Sequence, residues 1–497
     1  MLRAIKNKSS FLRDLIFSVI SAILLILSFP KGNLSFLVWV ALIPLFIVLD
    51  KKTPGIAFRW ALLTGFIFFG GVLTWIHFVT TAGMIALSLY LALYFGIFGA
   101  FYSALSNRSA MTKIFVYPAV WVGCEYVRAH LLSGFGWGAL GLSQYQNLPL
   151  IQIAQVTGVA GISYLIILVN VFIKDFDQMK RLWFIPFFIF VFVFIFGYVK
   201  LNEKKDFAQM RVAVVQGNIE QEMKWETSSW KKIMDTHEDL SRKAAELRPQ
   251  LIVWPETSFP GFLWDDLVLF TGLKAFQEQL GSAVLFGAVT HDKDSYYNSA
   301  LLLTRNNQSM IQQYNKIHLV AFGEYIPLRR QIPFLAQIIP IEDFTSGRSL
   351  TVFELDSFRF SVLICFEDTV ADLTRRFVKE GAQFLVNITN DAWFNDSKEP
   401  YMHLQSSVFR AVENRRSVVR SANTGISGFI DPYGRLTKLV EDPSGKPTYV
   451  EGIAVDEVQA NDEITFYTRF GEFFAYICFV CIMFCIIIRP QQKVAGK

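Results

Sequence analysis

Eight stretches of the chain are almost purely apolar, and they are unevenly spread. Seven fall in the first 199 residues: Phe11–Phe29, Leu34–Leu49, Phe58–Val79, Met84–Leu105, Ile114–Leu132, Ile151–Ile173 and Leu182–Val199. The eighth, Phe473–Ile488, comes after a long gap. A bilayer core of about 30 Å is crossed by a helix of about 20 apolar residues. The pattern therefore predicts eight transmembrane helices, of which Leu34–Leu49 is slightly short. Phe11–Phe29 reads as a retained helix rather than a cleaved signal. No small-residue cleavage site follows it, and Pro30 leads straight into another apolar run.

The gap has a different rhythm. From Lys200 to Phe470, short β-rich runs alternate with stretches of helical spacing. Met210–Gln216, Leu251–Trp254, Val284–Val289, Phe358–Ile364, Phe384–Ile388 and Ser417–Arg420 read as buried strands, and Lys231–Leu247 and Thr369–Glu380 as helices. Such alternation predicts an α/β domain rather than a β-sandwich. The domain plan is seven membrane helices in residues 1–199, an external α/β domain in 200–470, and the eighth helix with a short tail in 471–497.

Composition supports that division. The 497 residues are 53% hydrophobic and 18% charged, with 48 Phe and a mean hydropathy of +0.36. Average chains carry about 25% charged residues, so a disordered chain is excluded and a purely soluble enzyme is disfavoured. A net charge of +5 over this length gives no reason to expect nucleic acid as a partner. The basic residues do predict an orientation, because Lys and Arg collect on the cytoplasmic side of membrane helices. Arg3, Lys6, Lys8 and Arg13 lie at the N-terminus, Lys51, Lys52 and Arg59 follow the second run, and Arg108 and Lys113 the fourth. Lys174, Lys180 and Arg181 follow the sixth, and Arg489, Lys493 and Lys497 the last. The alternate connections are poor in both types. Both termini are therefore expected in the cytoplasm and the α/β domain outside.

Cysteine usage adds candidate chemistry. Cys124, Cys478, Cys481 and Cys485 lie in apolar runs, and Cys365 alone lies in the external domain. With no disulfide partner, such a thiol is either inert or a nucleophile. Its surroundings favour the second: a strand ends at Cys365, Glu367 and Asp368 follow, and a helical stretch begins soon after. A strand-to-helix turn exposes a thiol to N–H groups that stabilise anions. A nucleophilic thiol also needs a base, and a donor or cation for the oxyanion it creates. Trp254-Pro255-Glu256 ends another strand in a carboxylate, and the segment from Asn315 to Pro327 offers Lys316 and Glu324. Each alone is more commonly a turn, a cap or a solvated face. The external domain has a single Cys and the six His are scattered without a ligand pair, so no metal is expected.

Together these segments are specific. Trp254-Pro-Glu256, then Lys316, then Cys365-Phe366-Glu367 resembles the nitrilase superfamily, whose fold is a four-layer αββα sandwich and whose catalytic set is Glu, Lys and Cys. Val215–Trp225, Asn387–Phe394, Arg410–Arg415 and Arg420–Ser427 look like the apolipoprotein N-acyltransferase family, as do Glu125-Tyr-Val-Arg128, Gly134–Trp137 and Gly141–Gln144 in the membrane part. That family has eight membrane helices with a nitrilase-like domain between the last two. Three positions depart from its usual pattern: Phe366 stands where Tyr is frequent, Asn315 where Asp is usual, and Ala321 where Pro is common.

The resemblance implies a multi-pass acyltransferase of the bacterial inner membrane, with its catalytic domain in the periplasm. It would move a fatty acyl chain from a phospholipid to the N-terminal amine of the diacylglyceryl-cysteine of an apolipoprotein, through a thioester on Cys365. Glu256 would be the general base, with Lys316 and the N–H of Phe366 as oxyanion donors. Glu324 would orient Lys316, and Glu367 would be an acidic support beside the thiol. No cofactor is expected, and a monomer is.

Both substrates are lipids, so the site must open to the bilayer. Phe262 and Trp264, Phe334, and Trp393 sit in apolar loops beside the catalytic segments and are candidate lipid-binding residues, with packed core loops as the alternative. Trp225 either covers the site or packs beneath it. Glu125 and Arg128, three apart in one helix, are expected to satisfy each other.

Two other functions were weighed against these residues. A membrane-tethered nitrilase-like amidohydrolase would share the same set but would need neither eight spans nor apolar loops. A transporter would place polar residues within several spans, and these spans are almost purely apolar.

Overall fold

The computed structural model describes residues 2–293, 295–305, 311–327, 329 and 343–487. The chain divides into two compact units, Met1–Asn202 with Glu472–Lys497, and Glu203–Gly471.

The first unit is helical. Five helices are long and apolar enough to cross a membrane: Ser10–Leu27, Pro54–Val72, Thr81–Ala104, Ala154–Lys174 and Phe184–Leu201. They make the chain a membrane protein. The other three expected spans differ. Leu34–Leu49 is not one helix but a 3-10 turn, Ser35–Trp39, followed by a seven-residue helix, Ile43–Leu49. Pro44 sits in the first turn of that helix, where a missing N–H is tolerated, whereas it could not have continued a helix from Ser35. Ala110–His130 is a 21-residue helix, but it carries Lys113, Glu125 and Arg128. The described part of the last expected span is the helix Phe473–Ile487. On length and apolarity, five of the eight expected spans stand by themselves among the described residues.

Glu125 and Arg128 do not close on each other. Arg128 Nη1 donates to the carbonyl of Trp137 at 2.6 Å. Glu125 Oε1 accepts from Trp121 Nε1 at 2.8 Å and from the N–H of Leu140 at 2.9 Å. Both charges thus hold the segment after the helix against it, which satisfies a backbone stretch that cannot pair regularly.

The second unit contains two six-stranded sheets. The first comprises β1 (Ala208–Gln216), β2 (Leu251–Val253), β3 (Ala283–Asp292), β4 (Ser295–Leu303), β5 (Gln312–Asn315) and β12 (Gly452–Ala460), in the order β12-β1-β2-β3-β4-β5. The second comprises β6 (Phe353–Leu355), β7 (Phe358–Ile364), β8 (Phe384–Thr389), β9 (Val418–Ala422), β10 (Gly428–Ile430) and β11 (Leu436–Leu439), in the order β11-β10-β9-β8-β7-β6. In each sheet three strands are parallel: β1, β2 and β3 in one, β7, β8 and β9 in the other. They read as continuous apolar runs because both faces are covered. Val214 lies opposite Val253, and Val362 opposite Val386.

β1 lies against β9 and β4 against β7, so the sheets pack on each other. Helices Trp230–Ala245 and Leu267–Leu280 cover the first sheet, setting Met234, Leu240, Phe270 and Leu273 over Ile252, Trp254 and Phe286. Ala371–Lys379 and Glu399–Asn414 cover the second. The result is the four-layer αββα arrangement, and every expected strand and helix of the domain is present with its ends shifted by a few residues. Its consequence for function is positional. The turns after β2 and β7 lie at the carboxyl ends of parallel strands, where open α/β sheets place their sites.

Candidate active site

Cys365 follows β7 directly and opens a 3-10 turn, Cys365–Thr369. Its φ is +53°. A non-glycine residue keeps that left-handed conformation only where its surroundings over-determine it, and here they do. Asn387 Nδ2 donates to the carbonyl of Cys365 at 3.1 Å and to that of Leu363 at 3.1 Å. His403 Nε2 lies 3.2 Å from the same Cys365 oxygen.

Glu367 fixes the turn from the other side. One carboxylate oxygen accepts the N–H of Ile364 at 2.8 Å. The other accepts the N–H groups of Ile317 and His318 at 2.8 and 3.0 Å and the hydroxyl of Tyr314 at 2.7 Å. Glu367 therefore ties the Cys365 turn to the segment after Lys316. Burial pushes its carboxyl up to about 7, despite these donors.

Lys316 follows β5, is 1% exposed, and reaches Glu324 Oε1 at 2.8 Å and Glu256 Oε1 at 3.8 Å. Asn298, on β4, donates its Nδ2 to Glu256 Oε1 at 2.7 Å and to Glu324 Oε1 at 2.9 Å. Glu324 Oε2 accepts the N–H of Val320 at 2.8 Å. Glu256 sits just past β2, and the next residue, Thr257, is also left-handed at φ +50°.

Burial and charge act together in this cluster. Burial alone would push the Lys316 ammonium down, but Glu324, Glu256 and Cys365 outweigh it and hold it above its ordinary value. Burial raises Glu256 above the usual carboxylate range, against the pull of Lys316. Burial and then Glu256 push the Cys365 thiol well up, again against Lys316. The resting site is a neutral thiol facing a charged ammonium and a carboxyl with unusually high proton affinity. It can pass a proton from sulfur to carboxylate and offer a cation to an oxyanion. Glu256, Lys316, Cys365 and Glu324 are thus brought together.

The remaining sequence candidates divide. The Phe366 ring stacks on His318 with centroids 5.8 Å apart. Phe262 is exposed beside Tyr296, at 5.2 Å, and Trp393 is exposed in the turn Asp391–Phe394. Trp264 is placed otherwise. The N–H of Leu263 bonds to the carbonyl of Val289, which seats Leu263 in the core and turns Trp264 onto Phe270, 5.6 Å away. For that residue the packed-loop alternative holds. Phe334 lies outside the described residues, as does the side chain of Trp225.

Sequence reasoning missed Asn298, Lys224 and a buried cluster behind the thiol. His403 Nε2 lies 2.8 Å from Asp368 Oδ1, and its Nδ1 lies 3.3 Å from Asp391 Oδ1 and 3.6 Å from Glu399 Oε1. Arg420 Nη1 donates to Asp368 Oδ2 at 2.9 Å. The i, i+4 spacing of Glu399 and His403 was the available signal. Asp391, Glu399 and His403 also bring ligand atoms within 4.8 Å of one another, so they form the set here with metal-ligand character. Burial opposes charge on His403, but Asp368 outweighs it and holds the ring up at about 10.

Comparison with known proteins agrees with this geometry. The family model for the apolipoprotein N-acyltransferase N-terminal domain matches residues 21–172, and that for carbon-nitrogen hydrolase matches residues 211–461. An apolipoprotein N-acyltransferase of Geobacter metallireducens is 36% identical over 94% of this chain and 93% of that protein. One from Methylococcus capsulatus is 32% identical over 85% and 87%, and one from Pasteurella multocida 27% identical over 95% and 94%. Among solved structures, an amidase from Nesterenkonia sp. aligns at 16% identity with a TM-score of 0.40, over 55% of this chain and 98% of that one. That last likeness is too slight to add to the sequence matches. A hydrolase-type domain following an acyltransferase-type helical region, matched across 94% of the chain by a 36%-identical relative, means that this chain belongs to the apolipoprotein N-acyltransferase family.

Proposed function

We propose that this chain transfers a fatty acyl group from a phospholipid to the N-terminal amine of a diacylglyceryl-cysteine lipoprotein, through a thioester on Cys365. The observation that carries the reading is the convergence of the buried Glu256 and Lys316 with the partly exposed Cys365.

Glu256 takes the proton of the thiol, and the sulfur attacks the ester carbonyl of the donor. Lys316 and the N–H of Phe366 receive the oxyanion. The ester oxygen leaves with the proton from Glu256, giving lysophospholipid and the acyl-enzyme. The acceptor amine then attacks the thioester, Glu256 takes one of its protons, and collapse releases the amide while sulfur regains a proton. Two easier steps replace one difficult one. The reaction exchanges one acyl linkage for another, so no nucleotide is consumed.

Glu324 holds Lys316 in place, and Glu367 holds the turn that presents Cys365. Phe262 and Trp393 are the described apolar residues proposed to meet lipid. The Lys and Arg pattern of the connections supports an inner-membrane protein with cytoplasmic termini and a periplasmic catalytic domain. Incubation of the detergent-solubilised protein with phospholipid and a diacylglyceryl lipopeptide tests the reading. The expected product is a lipopeptide heavier by one acyl chain, whereas free fatty acid with unmodified peptide would point to an amidohydrolase.

A further inference from the structure

Behind Glu256 lies a second buried lysine to which the acyl-transfer reading assigns no task. Lys224 belongs to the 3-10 turn Glu222–Trp225 and is 4% exposed. Its Nζ donates to the main-chain carbonyl of Glu256 at 3.2 Å. Two groups that can carry charge face it. One is the Glu256 carboxylate, from the turn after β2. The other is His237, from the helix Trp230–Ala245. His237 Nδ1 donates to the carbonyl of Ile233 at 2.8 Å, and its buried Nε2 has no partner. Burial pushes that ring down to about 4, so it is neutral. The charge of Lys224 is thus opposed by one anion, Glu256.

The site needs that charge. Glu256 and Glu324 set two negative charges against one positive charge on Lys316. Moving the proton from Cys365 to Glu256 leaves the sum unchanged, so a thiolate would form in a pocket with a net negative charge. Charges buried together in low dielectric interact strongly.

We propose that Lys224 is a positioning residue for the transfer reaction: through the Glu256 carbonyl it fixes the carboxylate that takes the thiol proton, and its charge brings the cluster to neutrality. This rests on the acyl-transfer reading above. Burial pushes Lys224 down to about 8, so it loses its proton at a pH where Lys316 keeps its own. Acyl-enzyme formation should therefore fall on the alkaline side, whereas ionisation of the thiol itself would make it rise.

The test uses the full-length protein in detergent with a synthetic diacyl phospholipid in mixed micelles. The rate of acyl-enzyme formation is followed against pH for the wild type, Lys224→Met and Lys224→Arg, with thermal unfolding of each. The wild type should lose rate with a midpoint near pH 8. Lys224→Met should be slower by about ten- to a hundredfold, the cost of one charged hydrogen bond, and should lack the alkaline fall. Lys224→Arg, which stays charged, should keep most of the rate and also lack the fall. A folded Lys224→Met with the wild-type rate and profile overturns the proposal. If neither variant folds, the wild type decides: a fall near pH 8 supports the role, and a flat profile to higher pH overturns it. Absence of any acyl-enzyme in the wild type overturns the acyl-transfer reading itself, and this proposal with it.

Discussion

Two buried ionic clusters meet Cys365, one at its side chain and one at its main-chain carbonyl. In the first, Glu256 and Glu324 share Lys316, and both Glu256 and Lys316 are displaced above their ordinary values. In the second, burial works to raise Asp368 and Asp391, yet His403 and Arg420 hold both carboxyls below theirs. Burial is severe in both and nearly complete in the rear one. The difference is the supply of cations: in the rear network His403 and Arg420 serve Asp368 and Asp391, with Glu399 as a third acid, while the front one sets two acids against Lys316 until Lys224 is counted. Glu399, which shares His403 with two other acids at 3.6 Å, is pushed well up by burial and then by Asp391. A closed network holds a backbone turn, and an open one holds a mobile proton.

Breaking the front cluster should remove chemistry and spare the fold. Cys365→Ala should abolish acyl-enzyme formation and turnover with little change in melting temperature in detergent, since the thiol gives up only one side-chain hydrogen bond, with Thr389. In single-turnover assays with phospholipid, Glu256→Gln should slow acyl-enzyme formation about 10²- to 10⁴-fold, as loss of a general base does, and Lys316→Met about 10²- to 10³-fold, as loss of one oxyanion donor does.

Breaking the rear network should do the opposite. His403→Ala leaves Asp368 and Asp391 without their shared partner and should cost about 3 kcal/mol of stability, read as a lowered unfolding midpoint. Its pH dependence has a definite sign. The folded His403 keeps its proton up to about 10, against 6.5 for an ordinary histidine. Its contribution is therefore complete below 6.5 and is lost as pH rises toward 10. Thermal unfolding of the wild type should weaken across that window, and His403→Gln should flatten the dependence.

The smallest effect sharpens the contrast at the surface. Phe262→Ser or Trp393→Ser should leave both clusters intact. Each loses apolar contact worth about 1.5–3 kcal/mol, so use of a two-chain phospholipid should fall about ten- to a hundredfold while a short-chain soluble ester is affected much less. Equal losses on both substrates would return these residues to the packed-loop class already occupied by Trp264.

Glu256 and Cys365 were legible in the sequence because each sits beside a marked strand end, after Leu251–Val253 and after Phe358–Ile364. Long apolar strands announce themselves by composition. Ser295–Leu303 begins with Ser-Tyr-Tyr-Asn-Ser and has no such run at its start, so the strand that carries Asn298 was not found. β6 and β10 have three residues each, too few for a period to show. The rear network was hidden for another reason. Asp368, Asp391, His403 and Arg420 come from four separate elements, and only the packing of helix Glu399–Asn414 on the second sheet joins them. In the membrane unit, averaging hydropathy over Leu34–Leu49 concealed what Pro44 does to a helix. Trp264 looked like a lid by composition, and one backbone hydrogen bond at Leu263 turns it inward.

The central claim is that Cys365 carries the acyl group. Purified wild-type protein incubated with phospholipid alone, digested and analysed by mass spectrometry, tests it most directly. A fatty-acyl mass on the Cys365 peptide, released by neutral hydroxylamine and absent from Cys365→Ala, is the predicted result. Consumption of the donor with no adduct on that peptide, or an adduct on another residue, would contradict it.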